Sequence, residues 1–412
     1  MSHRRRILNL VTSNKLTGVY SLRRVNLLSR QNNLFYPSTK AAEDAAAAKD
    51  PAVLFPADDD DVLMVNDDDM PTAEESLEKV PPLLLSFQPT PDPSYTSRRP
   101  RCTLDCAALS ETRTVFVDGN SRAAFLHDAG ARRVVAMPGF PERESWASPR
   151  IYFPAAGAGD EGDEGGGGAV YAMDYRPTWG SFYFEALVHR DHRWHHEDLP
   201  PPPYVGGDDT MVTSYARVGA AAADVMCVST EDRGTYCFDT ASRAWSKAGG
   251  WALPFAGKIE HDRELGVWLG FLRCYDEDDR RLCASTDLFT GEDRRWLCSY
   301  VRNDCRDLEP PWGWPWHKVQ VAEPQVVGLG SGKFCVAQFF ETMRSACSRC
   351  GHEDADRWFA VFTGVEVVRR GRDEIEAGKG NGNIIPPTEL RVIGHKSKRY
   401  MLTKGNTIEF VL

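Results

Sequence analysis

The stretch Asp224–Pro254, DVMCVSTEDRGTYCFDTASRAWSKAGGWALP, decides the fold class. DVMCVST and TYCFDT are β-branched and aromatic runs separated by the polar, glycine-containing EDRG, which is the pattern of two strands joined by a turn. A polar turn over Asp239–Arg243 leads into a third run containing Trp245, and Pro254 closes the unit because proline lacks the amide that a ladder needs. The same succession of strand, strand, polar turn, strand and proline recurs in Thr114–Pro138 (TVFVDG, AAFLHD, RRVVAMP) and Val170–Pro200 (VYAMDY, FEALVH, RWHHEDLP). In the first of these the polar turn is His127–Ala131, followed by Val134. The exit prolines Pro138, Pro200 and Pro254 stand 62 and 54 residues apart.

A period near 50 with about four strands per unit is the spacing of a kelch-type β-propeller, whose blades are antiparallel sheets that bury their faces only by stacking. Working outward, Lys258–Cys298 holds GVWLGFL and RLCASTDL, and Val321–Arg370 holds QVVGLG, KFCVAQFFE and WFAVFTGVEVV. The C-terminal runs LRVI, RYML and TIEFVL fall at least one strand short of a blade, while ILNLV (Ile7–Val11) and VYSLRRV (Val19–Val25) are left over at the N-terminus. Pairing the two ends completes a sixth blade and removes exposed sheet edges. The expectation is an all-β, kelch-like β-propeller of six four-stranded blades, closed by pairing of N- and C-terminal strands. Residues 1–42 supply closing strands, residues 43–80 form an acidic disordered insertion, and residues 81–412 form the propeller body.

The 412 residues carry a formal charge of -10, unevenly spread. Residues 1–42 hold eight basic residues and no acid, residues 43–78 hold thirteen acids and only Lys49, and the remainder carries -6. The acidic stretch has too few large apolar side chains to repay the entropy of ordering it. Gly157–Gly168 reads as a second flexible loop. An acidic balance disfavours general nucleic-acid binding, and no apolar run reaches the 18 or so residues of a membrane-spanning helix. The Arg-rich N-terminus fits an organelle transit peptide as well as strands; strands are preferred because Gly18 suits a turn between two apolar runs. The eleven cysteines are odd in number, and Cys227, Cys237 and Cys335 lie in apolar runs, as free cysteines of a reducing compartment do. With no Asn-x-Ser/Thr site in the chain, the location expected is intracellular, cytoplasmic or nuclear.

RRRILNLV (Arg4–Val11), GVYSLRRV (Gly18–Val25), LFYPST (Leu34–Thr39), FEALV (Phe184–Val188) and LPPPPYV (Leu199–Val205) resemble the large cereal-grass family known as domain of unknown function 1668. So do GTYCFDTASRAWSKAGGWALPF (Gly234–Phe255), ELGVWLGF (Glu264–Phe271) and FAVFTGVEVV (Phe359–Val368). The similarity runs nearly end to end, and YCFDTASRAWSKAG is its most specific part. It implies a kelch-like propeller and no reaction, so no catalytic residues are carried over. CSRCGH and the expanded acidic tracts depart from the family's usual pattern.

Motifs that could carry chemistry fail on their own requirements. GLGSGK (Gly328–Lys333) is no phosphate loop, since Val327 and Phe334 stand where Gly and Ser or Thr are needed; it reads as a hairpin before a strand. Gly157, Gly159 and Gly162 match a dinucleotide fingerprint without its strand-turn-helix context. Cys347, Cys350 and His352 form half of a zinc signal, with Cys335 as the nearest fourth donor. His189, His192, His195 and His196 straddle a turn and a strand, where alternation sends neighbours to opposite faces. No metal and no cofactor are therefore expected. The unusual feature is PPWGWPWH, in which Trp312, Trp314 and Trp316 lie on a proline-rich loop that suits a binding hot spot; covering a blade edge is the plainer reading. The expected function is a non-catalytic scaffold that binds another protein, with no nucleic-acid or membrane partner. The alternative is an enzyme of oxidase or hydrolase type with its site at the propeller's central channel. A ubiquitin-ligase adaptor is a third reading, for which no N-terminal helical module is available.

Overall fold

A computed structural model describes residues 5–47, 78–79, 81–92, 102–141, 150–156, 168–177, 182–206, 210–220, 223–273, 282–285, 299–300, 319–320, 323–345, 353–369, 390–402 and 405–412. Among them the chain is nearly all β, with one helix, Thr39–Ala47. The short apolar runs read from the sequence are strands, and they pair almost wholly with their neighbours in sequence.

The first sheet draws on both ends of the chain, in the order Asn406–Val411, Ile7–Asn14, Tyr20–Asn26, Leu83–Phe87. The second is Leu104–Ala108, Arg113–Asp118, Ala124–Asp128, Arg133–Met137, and the third is Arg150–Ala156, Gly168–Asp174, Phe184–Arg190, Arg193–Asp198. The fourth is Val212–Ala220, Ala223–Thr230, Gly234–Asp239, Ala244–Gly249, and the fifth is Phe255–Asp262, Val267–Leu272, Leu282–Ser285, Ser299–Tyr300. Their first strands join in parallel, Ser214 opposite Gly257 and Ala216 opposite Ile259, so that the two form one eight-stranded ladder. The sixth contains Gln325–Gly330, Lys333–Ser345, Glu353–Arg369 and Leu390–Leu402, flanked by Val319–Gln320 and Glu78–Lys79.

Each repeat unit legible in the sequence is thus the last three strands of a four-stranded sheet. The first strand was obscured in the third sheet by Pro154, which is tolerated because Arg150–Ala156 lies at the sheet edge. LRVI and RYML, which read as two runs, are one strand of 13 residues, so Asn406–Val411 alone crosses to the first sheet. The helix takes up residues 43–47 of the acidic segment: Ala42 is buried, and Glu43 pairs with Arg391 at 2.7 Å. The cysteine reading is corrected at one place. Cys227 and Cys237 lie directly opposite in adjacent strands and are disulfide-bonded, whereas among the described residues Cys102, Cys106 and Cys335 are free.

Apolar side chains fill the space between successive sheets. Val11 and Leu22 of the first meet Leu104 and Phe116 of the second. Val115 and Leu126 of the second meet Val170 and Leu187 of the third, and Phe153 and Phe184 of the third meet Met226 and Phe238 of the fourth. Ala216 lies with Phe255, Ile259 and Trp268 between the fourth and fifth, and Leu269 and Phe271 of the fifth lie against Phe334, Val336 and Val365 of the sixth. The series returns to its start where Leu8 and Leu10 of the first sheet pack with Leu329, Cys335 and Phe362 of the sixth. Gln325 ties the same junction, donating its amide to Glu409 O at 2.9 Å and accepting Val411 N–H at 2.8 Å.

The LFYPST stretch is a strap laid across the sixth sheet. Leu34 O approaches Gly364 so closely that a Cβ there would stand 2.3 Å from it, and the ladder shifts register between Thr363 and Val365. The same oxygen accepts Lys396 N–H at 3.0 Å, while Tyr36 N–H donates to His395 Nδ1 at 3.2 Å. That bond leaves the proton of the buried imidazole on Nε2, 3.1 Å from Glu366 Oε2. Glu366 also accepts from Thr39 Oγ1 and pairs with Lys333, both at 2.9 Å. Burial pushes this carboxyl upward, but hydrogen bonds from Lys333, Thr39 and His395, together with the Lys333 charge, outweigh it and hold the group below its ordinary range.

Two outcomes follow. Deleting residues 1–26 removes two of the four strands of the first sheet and its buried Leu8, Leu10, Val11 and Leu22, so the truncated chain should lose cooperative thermal unfolding; calorimetry showing an intact transition would refute the role of the closing ladder. Gly364→Ala should lower stability by about 1–3 kcal/mol in denaturant titration, since the new methyl meets backbone and not a movable side chain.

Candidate functional site

Among the described residues, a dense set of buried ionisable groups lies between the second and third sheets. Alternation puts Arg150, Tyr152, Ala172 and Leu187 on the face of the third sheet that meets the second. Asp174 stands opposite Arg150 in the ladder, and Glu185 stands opposite both Ala172 and Asp198, so the polar positions form a stripe across one end of this face. The second sheet contributes Asp105 from its first strand, Arg122 from the turn after Asp118, and Phe140 from the exit loop. Arg122 is held at φ 63, and its carbonyl accepts Phe140 N–H at 3.0 Å, which fixes that ring over the stripe.

Arg150, with its side chain 1% exposed, is the centre of the group. Its Nη2 binds Glu185 Oε2, its Nε lies 3.8 Å from Asp174 Oδ1, and its guanidinium carbon lies 4.8 Å from the Phe140 centroid. Arg122 lies 5.7 Å from the same centroid. Tyr152 donates its hydroxyl to Asp105 Oδ2 at 2.9 Å, joining the first strands of the two sheets. On the outer side, His196 Nε2 is 3.4 Å from Glu185 Oε1 and 4.0 Å from Asp198 Oδ1.

Burial dominates the titration of these groups. It raises Asp174 to about 6, against hydrogen bonding from Tyr183 N–H and the charges of Arg150 and Arg122. It raises Glu185 and Asp105 as well, in each case opposed by the neighbouring cations, and it raises the Tyr152 phenol, with the Asp105 charge adding to the effect. Burial also lowers Arg122, and the like charge of Arg150 lowers it further. The cluster therefore retains protons at pH values where exposed carboxylates have lost theirs. Chemically it can exchange protons internally and orient the two sheets, with Arg150 committed to Glu185 and Asp174, and Tyr152 to Asp105.

Other residues singled out in the sequence are placed as follows. Trp312, Trp314 and Trp316 lie outside the described residues, as do Cys347, Cys350 and His352. Gly328–Lys333 is the hairpin into Lys333–Ser345, with Gly330, Ser331 and Gly332 at φ 83, 55 and 71, and Lys333 is paired with Glu366. His189 packs on Trp194 at 5.2 Å, His192 sits in the turn at φ 61, and consecutive His195 and His196 point to opposite faces of the third sheet. Sequence reasoning missed Arg150 and Asp105, which sit on first strands outside the three repeat units, and Arg122, which sits in a turn inside the Thr114–Pro138 unit. The available signal was a charged residue opening IYFPAA, a run otherwise fit for burial.

Neutralising either charge in this seam has a definite expected effect. Arg150→Met strands Glu185 and Asp174 without their cation and should cost about 3–5 kcal/mol in denaturant unfolding. For Asp174 the folded-state pKa is raised, so its contribution to stability is fullest below the unfolded value and declines as pH rises through about 6. Asp174→Asn should remove that slope between pH 4 and 6; melting curves with an unchanged slope would contradict the assignment.

A family model described as "Protein of unknown function (DUF1668)" matches residues 5–400. No curated protein matches the chain. Among solved structures, the complex of the fission yeast SREBP-SCAP binding domains is similar with a TM-score of 0.32 and 8% identity, over 71% of this chain and 73% of that one. The extracellular domain of a putative one-component system from B. thetaiotaomicron is similar with a TM-score of 0.25 and 10% identity, over 64% of this chain and 41% of that one.

Proposed function

For a chain that belongs to the DUF1668 family, a family of unknown function, we propose the role of a non-catalytic protein-binding scaffold, built as a kelch-like β-propeller of six four-stranded blades. The propeller reading is supported by the cyclic order of apolar packing, first sheet to second and onward to sixth and back to first. It is supported too by links between neighbouring first strands. Tyr152 bonds Asp105, Arg217 Nη1 donates to Pro154 O at 2.8 Å, and Ser214 to Ala216 pair with Gly257 to Ile259. In such an architecture the strands serve as frame, and binding falls to the loops.

The observation that carries the functional reading is PPWGWPWH, residues 310–317. Three indoles spaced by Gly313 and Pro315 give large contact area on a backbone stiffened by proline, which lowers the entropy lost on binding. The partner proposed is a protein. An intracellular setting fits free Cys102, Cys106 and Cys335 among the described residues, while the Cys227–Cys237 bond counts against it, because such bonds persist chiefly in oxidising compartments.

Changing Trp312, Trp314 and Trp316 together to Ala should abolish capture of the partner from native tissue and leave the melting temperature nearly unchanged, because rings that are exposed before binding contribute little to the core. A drop in stability of several kcal/mol in the same triple variant, seen before any capture assay, would assign the rings to covering a blade edge instead.

A further inference from the structure

We propose that Glu185, His196 and Asp198 form a binding site for a divalent transition metal, of which zinc is the best fit. The third sheet's register creates the set. Glu185 and Asp198 are directly opposed in the ladder between Phe184–Arg190 and Arg193–Asp198, and His196 precedes Asp198 by two positions, so all three side chains leave the same face. One donor atom from each lies within 4.8 Å of the others.

The separations match the geometry of a small N/O-ligated ion. Zinc bonds nitrogen and carboxylate oxygen at about 2.0–2.2 Å, which in a tetrahedral arrangement sets neighbouring ligand atoms roughly 3.3–3.6 Å apart. His196 Nε2 is 3.4 Å from Glu185 Oε1 already, and its 4.0 Å distance to Asp198 Oδ1 closes by a rotation of Asp198, whose side chain is 86% exposed. His196 Nε2 is shut off from solvent, makes no hydrogen bond of normal geometry, and lies between the two carboxylates.

The surroundings supply what metal sites need beyond their ligands. Arg150 engages Glu185 Oε2 and thereby orients Oε1 toward His196, and Phe140 meets the His196 ring edge-on at 6.0 Å and 90°, restricting its rotation. His195 is excluded by alternation. The open position on the Asp198 side admits water or a donor from a bound protein. A mixed imidazole and carboxylate set favours zinc over calcium or magnesium, which prefer oxygen alone.

The test uses the full chain, stripped with chelator and titrated with zinc chloride by calorimetry and with cobalt(II) by absorption. His196→Ala and the exposed change Asp198→Asn are run in parallel. The expected result is that each variant binds one equivalent of zinc fewer than the parent, or binds that equivalent at least about tenfold more weakly, with its metal-free melting temperature unchanged. The cobalt band lost in the variants should lack the intense near-ultraviolet thiolate transition, which separates this site from any at Cys347 and Cys350. A parent that binds no zinc, or an Asp198→Asn chain that retains the parent's full stoichiometry and affinity, overturns the proposal. Asp198→Asn decides the matter if His196→Ala fails to fold.

Discussion

The ladder between Ile7–Asn14 and Asn406–Val411 is the constraint on which the other packing rests. It brings residues nearly 400 positions apart into one sheet, with Asn9 and Leu412 exchanging both backbone hydrogen bonds at 2.8 Å. Such long-range closure costs chain entropy that no local contact returns, so it must be offset by burial on both faces of the sheet it completes. One face is filled against the second sheet by Val11 and Leu22, the other against the sixth by Leu8 and Leu10. Without it the second and sixth sheets would each present an apolar face to water. The strap Leu34–Thr39 reinforces the same junction, because it continues from the first sheet directly onto the sixth.

Two polar seams run through this apolar packing, one centred on Arg150 and one on Glu366. They are built on opposite electrostatic terms. Around Glu366, three donors outweigh burial and the carboxyl is held low, whereas around Asp174 burial outweighs two cations and the carboxyl is held high. A buried ion pair adds little net stability compared with apolar residues of the same volume, but it penalises wrong alignments heavily, since a shifted register strands a charge. Both seams lie where a slip would be damaging, at the contact of the second and third sheets and where the strap crosses a bulged strand.

The turns obey a rule that is written in the sequence. Asp118, Asp128, Asp239 and Asp262 each end a strand and accept backbone N–H groups two or three residues on, with Ser121, Ala131, Ser242 and Leu265 among the donors. The residue four positions after each Asp is left-handed: Arg122, Arg132, Arg243 and Gly266 have φ between 53° and 63°. An aspartate that caps its own turn, followed by one left-handed residue, directs the chain into an antiparallel return. The polar turns at His127–Ala131 and Asp239–Arg243 were visible as punctuation for this reason.

Sequence by itself determined the β class, the repeating hairpins and the partnership of the two termini, because alternation, turn chemistry and unpaired edges are local properties or follow from counting strands. It also carried the imidazole and carboxylate residues on one strand, HHED, without showing which would converge. Only the tertiary structure decided the convergence. Glu185 meets His196 through the register of a hairpin, and the charge of Arg150 acts on Arg122 and Asp105 through the stacking of separate sheets. The first strands escaped notice where a proline or a charge interrupted the apolar pattern, and those interruptions are where the sheets exchange polar contacts. Cys227 and Cys237 looked like two small buried apolar residues until register set them face to face. A linear pattern records which side of a strand a residue occupies; what stands across from it depends on how distant segments pack, and that is where the charges of this protein find their partners.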